Sequence, residues 1–166
     1  YWTIDLDRLE AELSNGAEIV TTLHVSNVLG TINPVREICK LAHDQGALVV
    51  LDSAQGVPHM PVDVREADVD FMAFSSHKML GPTGVGVLYG KQKYLEELEP
   101  WEFGGGMVRS VTADEVQYED LPTRLEAGTP NIAGVIGLGA AVDYLQDIGM
   151  ESVLNHERQL LRHALE

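Results

Sequence analysis

The feature that most constrains this chain is a set of short apolar runs separated by helix-patterned segments. The clearest are residues 47–51 (ALVVL) and 69–74 (VDFMAF), with strand-like runs at 18–25 and 85–89 around them. Strands that lack a solvated face and alternate with helices belong to a largely parallel sheet covered on both sides. The intervening segments supply those helices. Leu6, Leu9 and Leu13 recur at helical spacing behind Asp5, a side chain suited to an N-cap, and Asn15-Gly16 stops the pattern. Asn33-Pro34 opens a second helix with the stripe Val35, Ile38, Leu41 and Ala42, closed at Gly46. Further helices are expected at about 91–98, from 131 to Gly149, and from there to the end. The expected fold class is α/β, a mostly parallel sheet with helices on both faces. The hydrophilic stretch 100–129, with Gly104-Gly105-Gly106 inside it, reads mostly as an extended loop, and a loop that long in a compact domain usually carries function.

Composition narrows the partners. The 166 residues carry 11 Lys+Arg against 26 Asp+Glu, a formal charge of -15. Such a surface repels phosphate backbones and anionic lipids, which argues against nucleic acid and membrane as partners. No run of 18 uncharged apolar residues is present, so a transmembrane helix is not expected. The lone Cys39 cannot form an internal disulfide, no Cys/His cluster has metal-ligand spacing, and a reducing, cytoplasmic setting is expected. Cys39 lies on the apolar side of its helix, where a buried small hydrophobe is the expected role. Both ends of the chain read as cut.

Polar residues collect where the apolar runs end. His24 and Asn27 follow the first, Asp52 closes the second, and Ser75, His77 and Lys78 follow the third. In open α/β sheets ligands bind outside the carboxyl ends of the strands, which puts these groups at one crevice. Taken singly, Asp52 could cap the next helix, Lys78 could be a solvated loop lysine, and His24 and His59 could be structural. Taken together, an aspartate and a lysine on successive strand ends suit pyridoxal 5'-phosphate. The carboxylate would hold the pyridinium nitrogen protonated and the amine would form the Schiff base. Ser75 and His77 could donate to its phosphate, and Gln55 could reach the ring hydroxyl. GPTGVG lacks the Gly-Lys-Ser/Thr ending of a nucleotide phosphate loop, so nucleotide hydrolysis loses support.

The segments HVSNVLGTINPV, VVLDSAQGVPHMPVDV, VDFMAFSSHKMLGPTGVGVLYG, WEFGGGMV and RLEAGTPNIAGVIGLGAA resemble the class V branch of fold-type I pyridoxal phosphate enzymes. Within it they look most like Suf-type (group II) cysteine desulfurases, a group that includes selenocysteine lyase-like members. The resemblance runs from Asp5 to Glu166, with the motifs in the family's order. It implies that Lys78 binds the cofactor covalently, that Asp52 pairs with the pyridine nitrogen, and that Gln55 meets the phenolic oxygen. It further implies Ser75 and His77 as phosphate ligands and Asn27 as a residue near the substrate carboxylate. Gly128 and Thr129 match a segment that reaches a partner's phosphate across a homodimer interface, which makes 100–130 partner-facing.

The same resemblance divides the chain into 1–130, the central portion of a cofactor-binding large domain with its interface loop, and 131–166, helices leading toward a small C-terminal domain. It implies L-cysteine as substrate, a sulfur-acceptor protein as possible partner, and iron–sulfur cluster assembly as the setting. The family's first phosphate loop and ring-stacking histidine are not found before residue 24, and its persulfide-forming cysteine lies in a later segment, so Cys39 does not inherit that role. Another class V activity (aminotransferase, epimerase or selenocysteine lyase) and a truncated domain without activity of its own are the alternative readings.

Overall fold

The computed structural model describes residues 2–166. Its main sheet has four strands, β1 (Ile19–Leu23), β2 (Leu48–Asp52), β3 (Phe71–Ser75) and β4 (Gly86–Gly90), in that spatial order. β1, β2 and β3 run parallel, and the register sets Leu23 beside Asp52 and Asp52 beside Ala73. β4 returns antiparallel through residues 76–85, pairing Ser75 with Gly86. The parallel pairs need crossovers: α2 (Val35–Asp44) makes the first, and the single turn α3 (Val64–Ala67) lies in the second. Before them, α1 (Leu6–Leu13) begins as expected, with the Asp5 carboxylate accepting the Arg8 N–H at 3.0 Å.

The two faces of the sheet are covered unequally. Val49, Leu51 and Met72 project to one side, where Leu13 of α1 and Val35, Cys39 and Ala42 of α2 complete the main core. α5 (Ile132–Ile148) extends this side, with Leu138 and Leu145 against Met79 and, at the strands, Phe74 and Val87. Each large apolar side chain buried there contributes about 1.5–3 kcal/mol. On the opposite face α4 (Gln92–Glu97) covers one corner, with Leu95 over Gly90 and Tyr94 tilted against Phe71 at 6.0 Å between ring centroids. The rest of that face is open: Ile19, Leu23 and Leu88 are 58%, 43% and 56% exposed.

The stretch expected as a mostly extended loop contains a short antiparallel hairpin, β5 (Val108–Val111) and β6 (Val116–Tyr118). Most of its residues are exposed, so it rests on backbone pairing and not on a core. Asn131 caps α5 by accepting the Gly134 N–H at 3.0 Å, and Gly149, at φ +83°, breaks that helix from α6 (Met150–Leu165). Among the described residues no helix is long and apolar enough to cross a membrane.

Candidate active site

The parallel strands deliver the predicted polar residues to one edge of the sheet. The His24 N–H donates to the Asp52 carbonyl at 2.8 Å and the Ser53 N–H to the Ala73 carbonyl at 2.9 Å, so the chain leaves β1 and β2 in register with its neighbours. The Asp52 side chain is exposed, and its Oδ1 accepts the Ala54 N–H at 2.9 Å. Behind it, His24 Nδ1 and Ser53 Oγ share a buried 2.9 Å hydrogen bond. Burial holds His24 below the usual imidazole value, which favours the neutral ring. Gly56 lies against this pair so closely that a Cβ there would stand 2.5 Å from both polar atoms. The turn that presents Gln55 is thereby pinned at Ser53 and Gly56.

The candidates do not share one cavity. Asn27 and Gln55 line a cavity between the loop after β1 and α6, where His59 Nδ1 meets Glu157 Oε1 at 2.7 Å. Asp52 lines a groove on the open sheet face with Leu23, Asn33 and Val50. Ser75 ends β3, and His77 and Lys78 lie exposed on the single 3-10 turn Ser76–Lys78 that follows. Gly128, at φ +81°, donates its N–H to the Gly105 carbonyl at 3.0 Å, and Thr129 is exposed. Asn131 Nδ2 then reaches the Gly84 carbonyl at 3.5 Å, tying the 128–131 segment to the end of the loop that carries Lys78.

Ser53, Gly56 and Gly81 escaped the sequence reading, because small residues carry no periodic signal. Their positions just after Asp52 and around Lys78 were the available cue. His24 and His59 both have plain structural partners. Cys39 is 1% exposed and its thiol is pushed up to about 11, first by burial and then by Asp70 and Asp68. Among the described residues no three His, Cys, Asp or Glu side chains form a metal-binding group.

The class V aminotransferase family model (Aminotransferase class-V) matches residues 1–166. The chain belongs to the class V aminotransferase family. A probable cysteine desulfurase of Halalkalibacterium halodurans is 52% identical over 99% of this chain and 40% of its own length. Among solved structures, the apo cysteine desulfurase of Thermococcus onnurineus NA1 is 42% identical with a TM-score of 0.93, over 98% of this chain and 40% of its own. The cysteine desulfurase CsdA of Escherichia coli, as its S-sulfonic acid, is 44% identical with a TM-score of 0.86, over 89% and 37%. The class V chain thus spans about 40% of the relatives it matches.

Enzymes of this family depend on pyridoxal phosphate, and the donor set here fits that group. Asp52 keeps one carboxylate oxygen clear of its Ala54 bond, and Lys78 carries no ion pair among the described residues. Ser75 places a hydroxyl at the start of the 3-10 turn and His77 an imidazole within it. An acid, an amine and hydrogen-bond donors at neighbouring strand ends are what a phosphorylated pyridine aldehyde requires.

Proposed function

We propose that this chain is the cofactor-holding part of a pyridoxal 5'-phosphate-dependent cysteine desulfurase, which converts L-cysteine to L-alanine and passes the sulfur on as a persulfide. The observation that carries this is the placement of Asp52 at the end of β2 and of Lys78 on the turn that follows the neighbouring β3, in a chain about half identical to cysteine desulfurases. When bound, the cofactor supplies an electron sink for negative charge at the substrate α-carbon.

The chain's own residues do the rest of the work assigned here. Lys78 would anchor the cofactor, and its amine would take the substrate α-proton. Asp52, oriented by the Ala54 N–H, would keep the ring nitrogen protonated. Gln55 would donate to the ring oxygen, Ser75 and His77 would hold the phosphate, and Asn27 would orient the substrate carboxylate. Gly128 and Thr129 complete the phosphate cradle of a second copy, so the working unit is a homodimer. A thiol from outside these residues accepts the sulfur, because Cys39 is buried and resists ionisation. A sulfur-acceptor protein then takes the persulfide toward iron–sulfur cluster assembly in the cytoplasm.

The test is Asp52→Asn in the full-length protein. Loss of the charge facing the ring nitrogen lowers cysteine turnover by about 100-fold or more, with cofactor content and fold retained. Wild-type turnover in that variant would overturn the assignment of Asp52. Lys78→Ala abolishes the cofactor that borohydride fixes to the chain, and its persistence would overturn the assignment of Lys78.

A further inference from the structure

The turn that carries Lys78 opens and closes at one residue. Ser76 donates its N–H to the Val85 carbonyl at 3.0 Å, and its carbonyl accepts the N–H groups of Met79 at 2.9 Å and Gly81 at 3.0 Å. Lys78 therefore sits inside a loop whose two arms are bonded to a single residue. Between those arms Leu80 adopts φ +66°, a left-handed conformation unfavourable for a branched side chain, so the closing bonds must hold it.

The Ser76 side chain is fully buried, and its Oγ has no hydrogen-bond partner among the described residues. What it does have is a neighbour. A Cβ at position 81 would fall far inside contact distance of Ser76 Oγ, its severest clash, and would also press on the Ser76 carbonyl at 3.1 Å while meeting its Cβ at 3.4 Å. The hydroxyl fills the space that any larger residue at 81 would need, and the glycine leaves room for it. Gly81 has no need of positive φ here, so the requirement for glycine is one of volume.

We propose that Ser76 and Gly81 form a size-matched contact that positions the Lys78 amine for the cofactor. The proposal rests on the reading of Lys78 as the cofactor lysine. Neither residue touches the reacting atoms; both act through the turn. Displacement of a reacting group by about 1 Å costs on the order of 100-fold in rate, and a Cβ forced in at 81 must move the turn or the serine.

The experiment compares Gly81→Ala, Ser76→Ala and the double variant in the full-length protein, using pyridoxal 5'-phosphate itself as probe. Three quantities are read: the rate at which borohydride-fixable cofactor forms, its dissociation constant, and the pH midpoint of its visible band. Gly81→Ala slows capture by about 10- to 100-fold and shifts the midpoint. Ser76→Ala alone changes capture by roughly threefold, and the double variant recovers most of the way to that level, since contacting pairs are non-additive and only the tight approach to the Ser76 carbonyl remains.

Wild-type behaviour of Gly81→Ala would overturn the proposal, and so would a defect that Ser76→Ala leaves unrelieved. If Gly81→Ala does not fold, the double variant decides. A double variant approaching Ser76→Ala supports the contact, and one that is lost while Ser76→Ala survives refutes it. Lys78→Ala separates the two levels: fixable cofactor in that variant removes the reading of Lys78, whereas its loss beside a wild-type Gly81→Ala removes only the Ser76–Gly81 contact.

Discussion

Two aspartates at opposite ends of the sheet illustrate how the fold divides its labour. Asp70 lies just before β3, at the amino end of the parallel strands, and is 1% exposed. Its Oδ2 accepts the Val49 N–H and His43 Nε2, both at 2.8 Å, and its Oδ1 accepts Lys91 Nζ at 2.8 Å. Lys91 also bonds Asp68 at 2.6 Å, which closes a charged cluster beneath the sheet. Asp52 lies at the carboxyl end of β2, exposed, with its carboxylate bonded only locally to Ala54 among the described residues. A saturated carboxylate can do nothing but hold the fold, whereas an open one on a fixed strand end is available to a ligand. The difference is in surroundings, since the side chains are identical.

The largest expected effect tests that contrast directly. Asp70→Ala leaves Lys91 and the Val49 N–H without their buried partner and destabilises the protein by about 3 kcal/mol. Asp52→Asn changes stability by less than about 0.5 kcal/mol. Urea unfolding of both variants in the full-length protein gives the comparison. A stability loss at Asp52 equal to that at Asp70 would erase the division between the two ends.

A pH titration of stability sharpens it. Burial pushes the Asp70 carboxyl up, but the bonds from Lys91 and His43 and the Val49 N–H outweigh that and hold it below the ordinary carboxylate value. A depressed folded pKa stabilises the protein at all pH above the unfolded value of about 3.9, and this contribution disappears as pH falls through the folded pKa. Lys91 has the opposite sign. Burial lowers it, the Asp68 and Asp70 bonds more than compensate, and its raised pKa gives stability that is lost only as pH climbs above about 10.4. Melting temperature against pH is expected to fall at both extremes, and Asp70→Asn to flatten the acid limb. An unchanged acid limb in Asp70→Asn would remove the carboxylate from the stabilising cluster.

The same contrast explains what could be read from the residues alone. β2 and β3 were legible as apolar runs, and the residues that close or follow them, Asp52, Ser75, His77 and Lys78, were legible as polar interruptions at their ends. The antiparallel direction of β4 was not, because strand direction leaves no mark on an apolar run. The hairpin of β5 and β6 was hidden because its exposed residues show no buried face, and α3 is too short to express a period. Asp70 itself was concealed inside an apolar run, since its partners His43 and Lys91 come from distant segments. At the site, residue types were visible while the fine packing of Ser53 on Gly56 and Ser76 on Gly81 was not, because it depends on volumes that meet only in three dimensions.

The smallest expected effect concerns Cys39, which separates the covered face from the reactive edge. Its thiol is packed among Val35, Ala42 and Val49, and the nearby Asp70 and Asp68 add negative charge to the cost of burying a thiolate. At a pKa of about 11 almost none of it is ionised near neutral pH, and only the thiolate attacks disulfides or sulfur. A disulfide reagent such as dithionitrobenzoate is therefore expected to leave Cys39 of the native protein unmodified and to react on unfolding in urea. Cys39→Ala is expected to cost about 1 kcal/mol as a modest core truncation, with persulfide formation by the full-length protein unchanged. Rapid labelling of Cys39 in the folded state, or loss of persulfide in Cys39→Ala at retained stability, would move this residue from the half of the molecule that holds the fold to the half that does the chemistry.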